Sequence, residues 1–561
     1  MVRLKILAAV SLLLFVASFF KLFQKQILEH KKYLELAKGQ QIVKQEIIPK
    51  RGKIYVKEGA ELYPLATNLT FYSLSVVPKH LLDKTETATK LAPILGLNEK
   101  ELFEKINNDK LYLPPIARKL DEERANEIKA LNLPGVYLEE ENVRYYPEGE
   151  LAATILGFVN AEDEGQYGLE GFYNAELKGE KGILLGEKDL KGRVISFIDK
   201  SKSMDGADLI LTIDRTIQYE AFRRIQEAVK KFQAVSGSII ILDPQTGAIL
   251  AMASYPTFDP NKFNEVKKED YWLFLNPIIG KTWEPGSVFK VITMAAGIDS
   301  NTITKDTTEY FDASVKIGGY EIWTYDKKPH GRQNMTQVLE TSNNVGAVYV
   351  IQKVGKELFY KYLNNFGFGA LLGIDLDKET TKPLREWKSW KDVELATMSF
   401  GQGIAVTPIQ FITAVSAIAN GGKLIRPHIV DEIVSPEGKR EKIQKQEIRQ
   451  VISPSSAEIV TEMMVSVVEK GHGKKARVPG YKVAGKTGTA QIPKKDEKGY
   501  EEGKSIGSFV GFAPAENPRF VMLVKIDEPK TVEWAESSAA PVFGEMATWL
   551  LKNYLQVPPS E

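Results

Sequence analysis

The 561-residue chain contains no cysteine, which excludes disulfides, thiolate nucleophiles and cysteine-based metal sites. The lack of cysteine does not by itself fix a compartment. Histidine is scarce. His30, His80, His330, His428 and His472 are the only five, and none stands at metal-ligand spacing from another, so neither a metal nor a cofactor is expected. Net charge is +1 with no long basic run, which leaves a nucleic-acid partner without support. Internal repeats and long low-complexity segments are absent. What remains is a globular composition, 26% charged and 43% hydrophobic, on a chain too long for a single core.

The one long apolar run is N-terminal. Residues 6–20 carry no charge and are flanked by Arg3 and Lys5 before and Lys21 after. The run falls short of the ~20 residues needed to cross a ~30 Å hydrocarbon core. Snorkelling of Lys5 and Lys21, with Leu22 and Phe23 included, restores the length. A cleavable signal peptide is the alternative, because Ala17-Ser18 offers small residues. Bulky Phe19 and Phe20 follow directly and the helical pattern continues, which favours a single uncleaved anchor over residues 1–24. Lys21, Lys25, Lys31 and Lys32 outnumber Arg3 and Lys5, so charge bias alone would hold the body in the cytoplasm. Long domains, however, translocate largely regardless of such charges. Residues 26–45 read as a helical stalk.

Residues 25–204 are expected to form a pedestal of short strands and charged helices, among them a capped helix at 121–131 that ends before Pro134-Gly135. No catalytic constellation stands out there. A second domain spans 205–561. Residues 238–242 and 248–253 flank a turn at Asp243-Pro244-Gln245-Thr246-Gly247 and predict a hairpin. Late strands are predicted around Lys486, at 509–512 and at 520–524, with a closing amphipathic helix at 539–551. Strands at both ends of a helical middle imply an α+β fold, an antiparallel sheet with helices on its faces.

Three short motifs carry chemistry. Ser287 and Lys290, behind the chain-breaking Pro285-Gly286, open a helical pattern and so share one face a turn apart. A serine needs a base to become a nucleophile, and a buried lysine can serve. The spacing alone is weak, since Ser18 and Lys21 repeat it inside the apolar run. Ser342-Asn343-Asn344 lies where one helical pattern ends and another begins, and supplies a hydroxyl for proton relay and an amide for positioning. Lys486-Thr487-Gly488-Thr489 reads as a strand with a cation and hydroxyls for a carboxylate, and with a glycine for close backbone approach. Singly, each is as well read as a helix-cap serine, a loop amide or a strand lysine. Residues 480–487 also fit G-x-x-x-x-G-K-T, but a phosphate loop must open a helix, and Gly488 and Pro493 oppose one.

In that order the three motifs are those of penicillin-recognising serine enzymes. The chain from Arg51 onward resembles class B penicillin-binding proteins. Similar stretches include Arg51-Gly52-Lys53-Ile54-Tyr55, Gly165-Gln166-Tyr167-Gly168-Leu169-Glu170, Glu284-Pro285-Gly286-Ser287, Phe400-Gly401-Gln402-Gly403 and Ser508-Phe509-Val510-Gly511-Phe512-Ala513-Pro514. The chain departs from the family at Val56-Lys57-Glu58-Gly59, with extra residues before Leu65, and at Val288, where a hydroxyl residue is usual.

The resemblance implies a β-lactamase/transpeptidase-like catalytic domain on a mixed α/β pedestal, with one anchor helix in the bacterial cytoplasmic membrane and the catalytic domain outside. It implies D,D-transpeptidation of peptidoglycan stem peptides through a serine acyl-enzyme that β-lactams trap. Ser287 would be the nucleophile, Lys290 its base, Ser342 the proton relay and Asn344 the orienting amide. Lys486, Thr487, Gly488 and Thr489 would bind substrate, and the N–H groups of Ser287 and Thr489 would form the oxyanion hole. A polytopic SEDS-family glycan polymerase is the implied partner, met by the pedestal near Arg51 and Gly52 unless Arg51 only pairs with a carboxylate inside it. A D,D-carboxypeptidase, a β-lactamase and a non-catalytic cell-wall scaffold are the alternatives.

Overall fold

The computed structural model describes residues 2–34, 42–111, 113–188, 194–494 and 499–559. They fall into two compact units, one of residues 1–51 with 178–206, the other of residues 52–177 with 207–561.

In the first unit a helix runs over Val2–Phe23 and continues through a wider π-type turn at Gln24–Leu28. Its apolar side chains, Leu12, Leu13, Leu14 and Phe15 among them, are exposed on every side. A helix apolar all round belongs in an apolar solvent, and Val2–Leu28 is long and apolar enough to cross a membrane. It fits a single-pass anchor. The expected stalk is corrected in part: helix reaches Leu34, residues 35–41 lie outside the described residues, and Ile42–Ile47 is a strand. This strand pairs antiparallel with Gly182–Lys188, Ile42 opposite Glu187 and Ile47 opposite Gly182, and Val194–Ser201 completes the three-stranded sheet.

The second unit contains two large sheets. The first has seven strands and draws on both halves of the chain. At its centre Asp208–Asp214 runs parallel to Ile54–Glu58 and antiparallel to Val430–Val434. Ile54–Glu58 turns back into Glu61–Val76 with Glu58 opposite Glu61, and Gly59 (φ +61°) supplies the left-handed residue this tight hairpin requires. The unusual Val56-Lys57-Glu58-Gly59 stretch is thus a strand end and its turn. Glu61–Val76 has 16 residues, longer than the short strands expected, because it serves one neighbour and then Val136–Tyr145. The charged helix is found at Glu122–Ala130, with the Asp121 carboxylate accepting from Arg124 N at 2.9 Å.

The second sheet is five-stranded and antiparallel, in the spatial order Ile249–Tyr255, Ser236–Leu242, Phe520–Asp527, Tyr500–Ala513, Ala484–Pro493. The hairpin and the three late strands are therefore present. Helix Arg215–Phe232, capped by Asp214, buries Ile217, Ala221, Ile225, Val229 and Phe232 against one face, beside the closing helix Ala539–Trp549. The other face meets a helical layer that includes Lys290–Asp299, Pro408–Ala419 and Pro454–Glu469. Lys486–Thr487 lies inside a strand, which excludes the phosphate-loop geometry.

Candidate active site

Ser287 sits in a single 3₁₀ turn, Gly286–Phe289, and the α-helix proper begins at Lys290. The tightness of the turn is set by Gly286 (φ +62°), whose N–H donates to Gly401 O at 3.1 Å. A methyl group on Gly401 would lie 2.3 Å from Gly286 O, so the Phe400-Gly401-Gln402-Gly403 loop is pressed onto the Ser287 turn and requires glycine there. Glu284 anchors the same loop from the other side, accepting from Gly403 N at 3.0 Å and from Tyr500 OH at 3.1 Å. Burial pushes the Glu284 carboxyl up.

The second motif is held by helix caps. Helix Met335–Glu340 ends at Thr341, Ser342 takes a left-handed conformation (φ +53°), and the Asn343 carboxamide accepts from Gly346 N to start helix Asn344–Val354. The reversal turns both Ser342 and Asn344 toward Lys290. The third motif reaches the same place from the edge of the five-stranded sheet. A methyl on Gly488 would lie 2.8 Å from Val288 N, so only glycine lets this strand pass directly over the Ser287 turn.

The three motifs converge on one hydroxyl. Ser342 Oγ lies 3.2 Å from Lys290 Nζ and 3.0 Å from Lys486 Nζ, although the lysines are 52 and 144 residues away in sequence. Lys290 Nζ also donates to Asn344 Oδ1 at 2.7 Å and to Ser342 O. Lys486 Nζ donates to Thr487 O at 2.8 Å. Both lysines are fully buried. Burial, reinforced by the cation of Lys486, holds the Lys290 amine well below the usual lysine range, and burial brings Lys486 down to about 7. A neutral Lys290 has two N–H donors, which match the two carbonyl-type acceptors Ser342 O and Asn344 Oδ1. Its lone pair is left for a hydroxyl proton. Among the described residues Ser287 Oγ makes no hydrogen bond, and Lys290 Nζ is engaged by Ser342 and Asn344.

Thr487 lies beside Lys486, and Thr489 Oγ1 accepts from Ala535 N at 3.0 Å, which leaves its hydroxyl proton to donate. All eight residues singled out in sequence, Ser287, Lys290, Ser342, Asn344 and Lys486 to Thr489, are thus gathered at one place. Sequence reasoning missed the surrounding aromatics. Asn344 Nδ2 donates to Trp323 O at 3.0 Å, and the Tyr325 ring meets His472 and Trp534 with centroids 5.3 and 6.3 Å away. His472, unremarkable in sequence, is held below the usual histidine range first by burial and then by Lys486. No local pattern marks these residues. Among the described residues no cluster of three or more histidine, aspartate or glutamate side chains is placed to hold a metal.

Known proteins share the sequence and fold of this chain. Residues 237–548 match the penicillin binding protein transpeptidase domain, and residues 46–211 match the penicillin-binding protein dimerisation domain. The chain is 37% identical over 506 residues to stage V sporulation protein D of Bacillus subtilis (strain 168), covering 89% of this chain and 77% of that one. It is 31% identical over 518 residues to peptidoglycan D,D-transpeptidase FtsI of Escherichia coli (strain K12), covering 91% and 84%. The solved structure of penicillin binding protein 3 from Mycobacterium tuberculosis complexed with aztreonam superposes with a TM-score of 0.72 at 26% identity, over 92% of this chain and 98% of the other. With both domain types matched in order and the three motifs assembled around Ser342, the chain belongs to the class B penicillin-binding proteins.

Proposed function

We propose that this protein is a peptidoglycan D,D-transpeptidase that works through a serine acyl-enzyme. The observation that carries the reading is the sharing of Ser342 Oγ between the two buried lysines, with Asn344 on the first. Lys290 takes the proton of Ser287 as Ser287 Oγ attacks the penultimate D-Ala carbonyl of a stem peptide. The N–H groups of Ser287 and Thr489 receive the developing oxyanion. The C–N bond breaks, the departing D-Ala amine takes a proton through Ser342, and an ester on Ser287 remains. Protonated Lys486, with Thr487 and Thr489, holds the terminal carboxylate. An amine from a neighbouring stem then attacks the ester, Ser287 recovers its proton, and a cross-link results. A β-lactam opens its ring on the same serine and stays as the ester.

In this reading residues 1–24 form the anchor, 25–204 the pedestal and 205–561 the transpeptidase domain. The protein crosses the bacterial cytoplasmic membrane once, with the catalytic domain outside. A SEDS-family glycan polymerase remains the partner that the family suggests. Arg51 is only 5% exposed, so contact with such a partner would run through surface neighbours and not through its side chain.

The test is labelling of the full-length protein in detergent with fluorescent penicillin. The wild type should be labelled covalently and Ser287→Ala should not. Labelling of Ser287→Ala would overturn the assignment. Stem-peptide trimming without cross-linking would select a carboxypeptidase, and rapid penicillin turnover a β-lactamase.

A further inference from the structure

A row of polar side chains crosses the five-stranded sheet where an apolar face is expected. Ser254 stands opposite Ser238, Ser238 opposite Lys525, Lys525 opposite Ser508, and Ser508 opposite Gly488. Directly opposed residues share a face. Here that face looks toward the nucleophile turn, since the space above Gly488 is filled by Val288 and by Ser508 Oγ. Burying a hydroxyl is costly unless it is hydrogen-bonded. The rest of the row finds partners of its own. Ser238 and Ser254 share a bond of 3.1 Å, and Lys525 pairs with Asp527. Ser508, fully buried, instead donates to the carbonyl oxygen of Gly488 at 3.2 Å.

That carbonyl belongs to the peptide group joining Gly488 to Thr489. In a planar trans peptide the C=O and the following N–H point in opposite directions. Gly488 O points inward, at Ser508 on the neighbouring strand, so Thr489 N–H points outward. Ala484–Pro493 is the edge strand of the sheet, so this outward N–H is not taken up by a further strand. With Gly488 O turned inward in this antiparallel pair, the ladder N–H of Ser508 already reaches the same carbonyl, and the Ser508 hydroxyl adds a second donor that steadies the peptide whose other end is the second oxyanion-hole donor. By hydrogen-bonding its carbonyl, Ser508 also polarises that peptide and strengthens the N–H as a donor.

We propose that Ser508 is a positioning residue for the oxyanion hole, acting on the transition state through the Gly488–Thr489 peptide. The proposal rests on the serine acyl-enzyme reading above. Removing an oxyanion-hole donor outright lowers rates by ~10²–10³-fold. Losing a bond that only orients and polarises the donor should cost about threefold to tenfold, a fraction of that effect.

The experiment uses full-length protein in detergent and a fluorescent penicillin, comparing wild type, Ser508→Ala, Ser508→Thr and Ser238→Ala. Ser238→Ala removes a buried hydroxyl from the same row, two strands away from Ser508, and serves as the packing control. The second-order acylation rate should fall about threefold to tenfold in Ser508→Ala and stay within twofold of wild type in Ser238→Ala. In the acylated protein, made with carbonyl-labelled penicillin, the ester C=O stretching band should move to higher wavenumber in Ser508→Ala only, because a weaker hole polarises the ester less. Ser508→Thr, which keeps the hydroxyl, should return both readouts toward wild type. Only folded, acylated molecules contribute to the band, so partial misfolding does not mimic the shift. An unshifted band, or equal rate losses in Ser508→Ala and Ser238→Ala, would overturn the role of Ser508. Labelling that survives Ser287→Ala would instead overturn the underlying acyl-enzyme reading.

Discussion

Gly488 is the position where a single methyl group tests the assembly of the site. A Cβ there would meet Val288 N and Val288 Cγ1 at 2.8 Å and Ser508 Oγ at 3.0 Å. Two of these neighbours cannot swing away, because Val288 N is backbone and Ser508 is fully buried. To regain ordinary van der Waals contact the strand has to withdraw from the nucleophile turn by roughly 0.6 Å. Misplacement by ~1 Å costs about 10²-fold in rate, so Gly488→Ala should lower acylation by penicillin about tenfold to a hundredfold, or ~1.4–2.8 kcal/mol of barrier. The accompanying loss of stability should be that of an overpacked core, ~1–3 kcal/mol. Gly485→Ala is the matched comparison on the same strand. Its Cβ would meet Phe509 Cζ at 2.5 Å and Val468 Cγ2 at 3.3 Å, side-chain atoms on the opposite face of the sheet. It should lose stability to a similar degree while acylating within about threefold of wild type, a difference of under ~1 kcal/mol. The assay is the second-order rate of labelling, paired with thermal unfolding of each variant. Wild-type labelling by Gly488→Ala, or an equal rate loss in Gly485→Ala, would refute the reasoning.

Lys486→Ala should change the pH dependence of acylation as well as its rate. On the proposed mechanism Lys290 must be neutral to act as a base, so acylation should rise as pH passes upward through its lowered pKa. Burial is the larger cause of that lowering and persists in the variant, but the cation of Lys486 is gone. Lys290 then holds its proton more readily, and the acidic limb of the pH–rate profile should move to higher pH; a limb that stays put or moves lower contradicts the coupling. The wild type should also show a fall in affinity for carboxylate ligands above pH of about 7, as free Lys486 loses its charge, and the variant should lack it. One strand in from Ser508, Lys525 and Asp527 form a buried pair, with the carboxylate also accepting from Ser236 Oγ at 2.7 Å. Asp527→Ala should destabilise the catalytic domain by about 3–5 kcal/mol, because it leaves a buried ammonium unpaired. Replacing both residues by apolar ones of similar size should restore most of that loss in chemical denaturation, and failure to do so would point to a role beyond charge compensation.

The parts of the fold that were legible in the sequence are those decided locally. The hairpin at Ser236–Leu242 and Ile249–Tyr255 follows from two apolar runs around a Pro-Gln-Thr-Gly turn, and helix Glu122–Ala130 from its Asp121 cap. The site was legible because its members sit in three compact motifs whose residue types declare their chemistry. Position in the helix was less so. The motif suggests a helix opening at Ser287, whereas the serine occupies a 3₁₀ turn tightened by contact with Gly401, more than a hundred residues downstream. The strand at Ile42–Ile47 was hidden for a similar reason, since its partner lies at Gly182–Lys188. Tyr325, His472 and Trp534 could not be read at all, because only tertiary packing brings three scattered residues together. Ser508 lies in a family-like stretch, but its bond to Gly488 O depends on a strand register that no single segment encodes.

Two fully buried lysines on one hydroxyl pose an electrostatic problem whose solution bears on the order of events. Both cannot be charged there without strong mutual repulsion in a poorly solvated space. Their surroundings break the tie. Lys290 is offered two carbonyl-type acceptors, which a neutral amine satisfies with its two protons, while Lys486 lies on the edge strand that faces the substrate. With its free amine near 7, Lys486 is poised to take up a proton when a carboxylate arrives. That proton places a positive charge on the far side of Ser342, and the charge disfavours protonation of Lys290 further. On the proposed mechanism, binding of the correct anionic terminus therefore keeps the base unprotonated at the moment Ser287 has to give up its proton. A ligand without the carboxylate would leave Lys486 partly neutral and Lys290 freer to hold a proton, so part of the discrimination between substrates resides in the base and not only in the binding pocket.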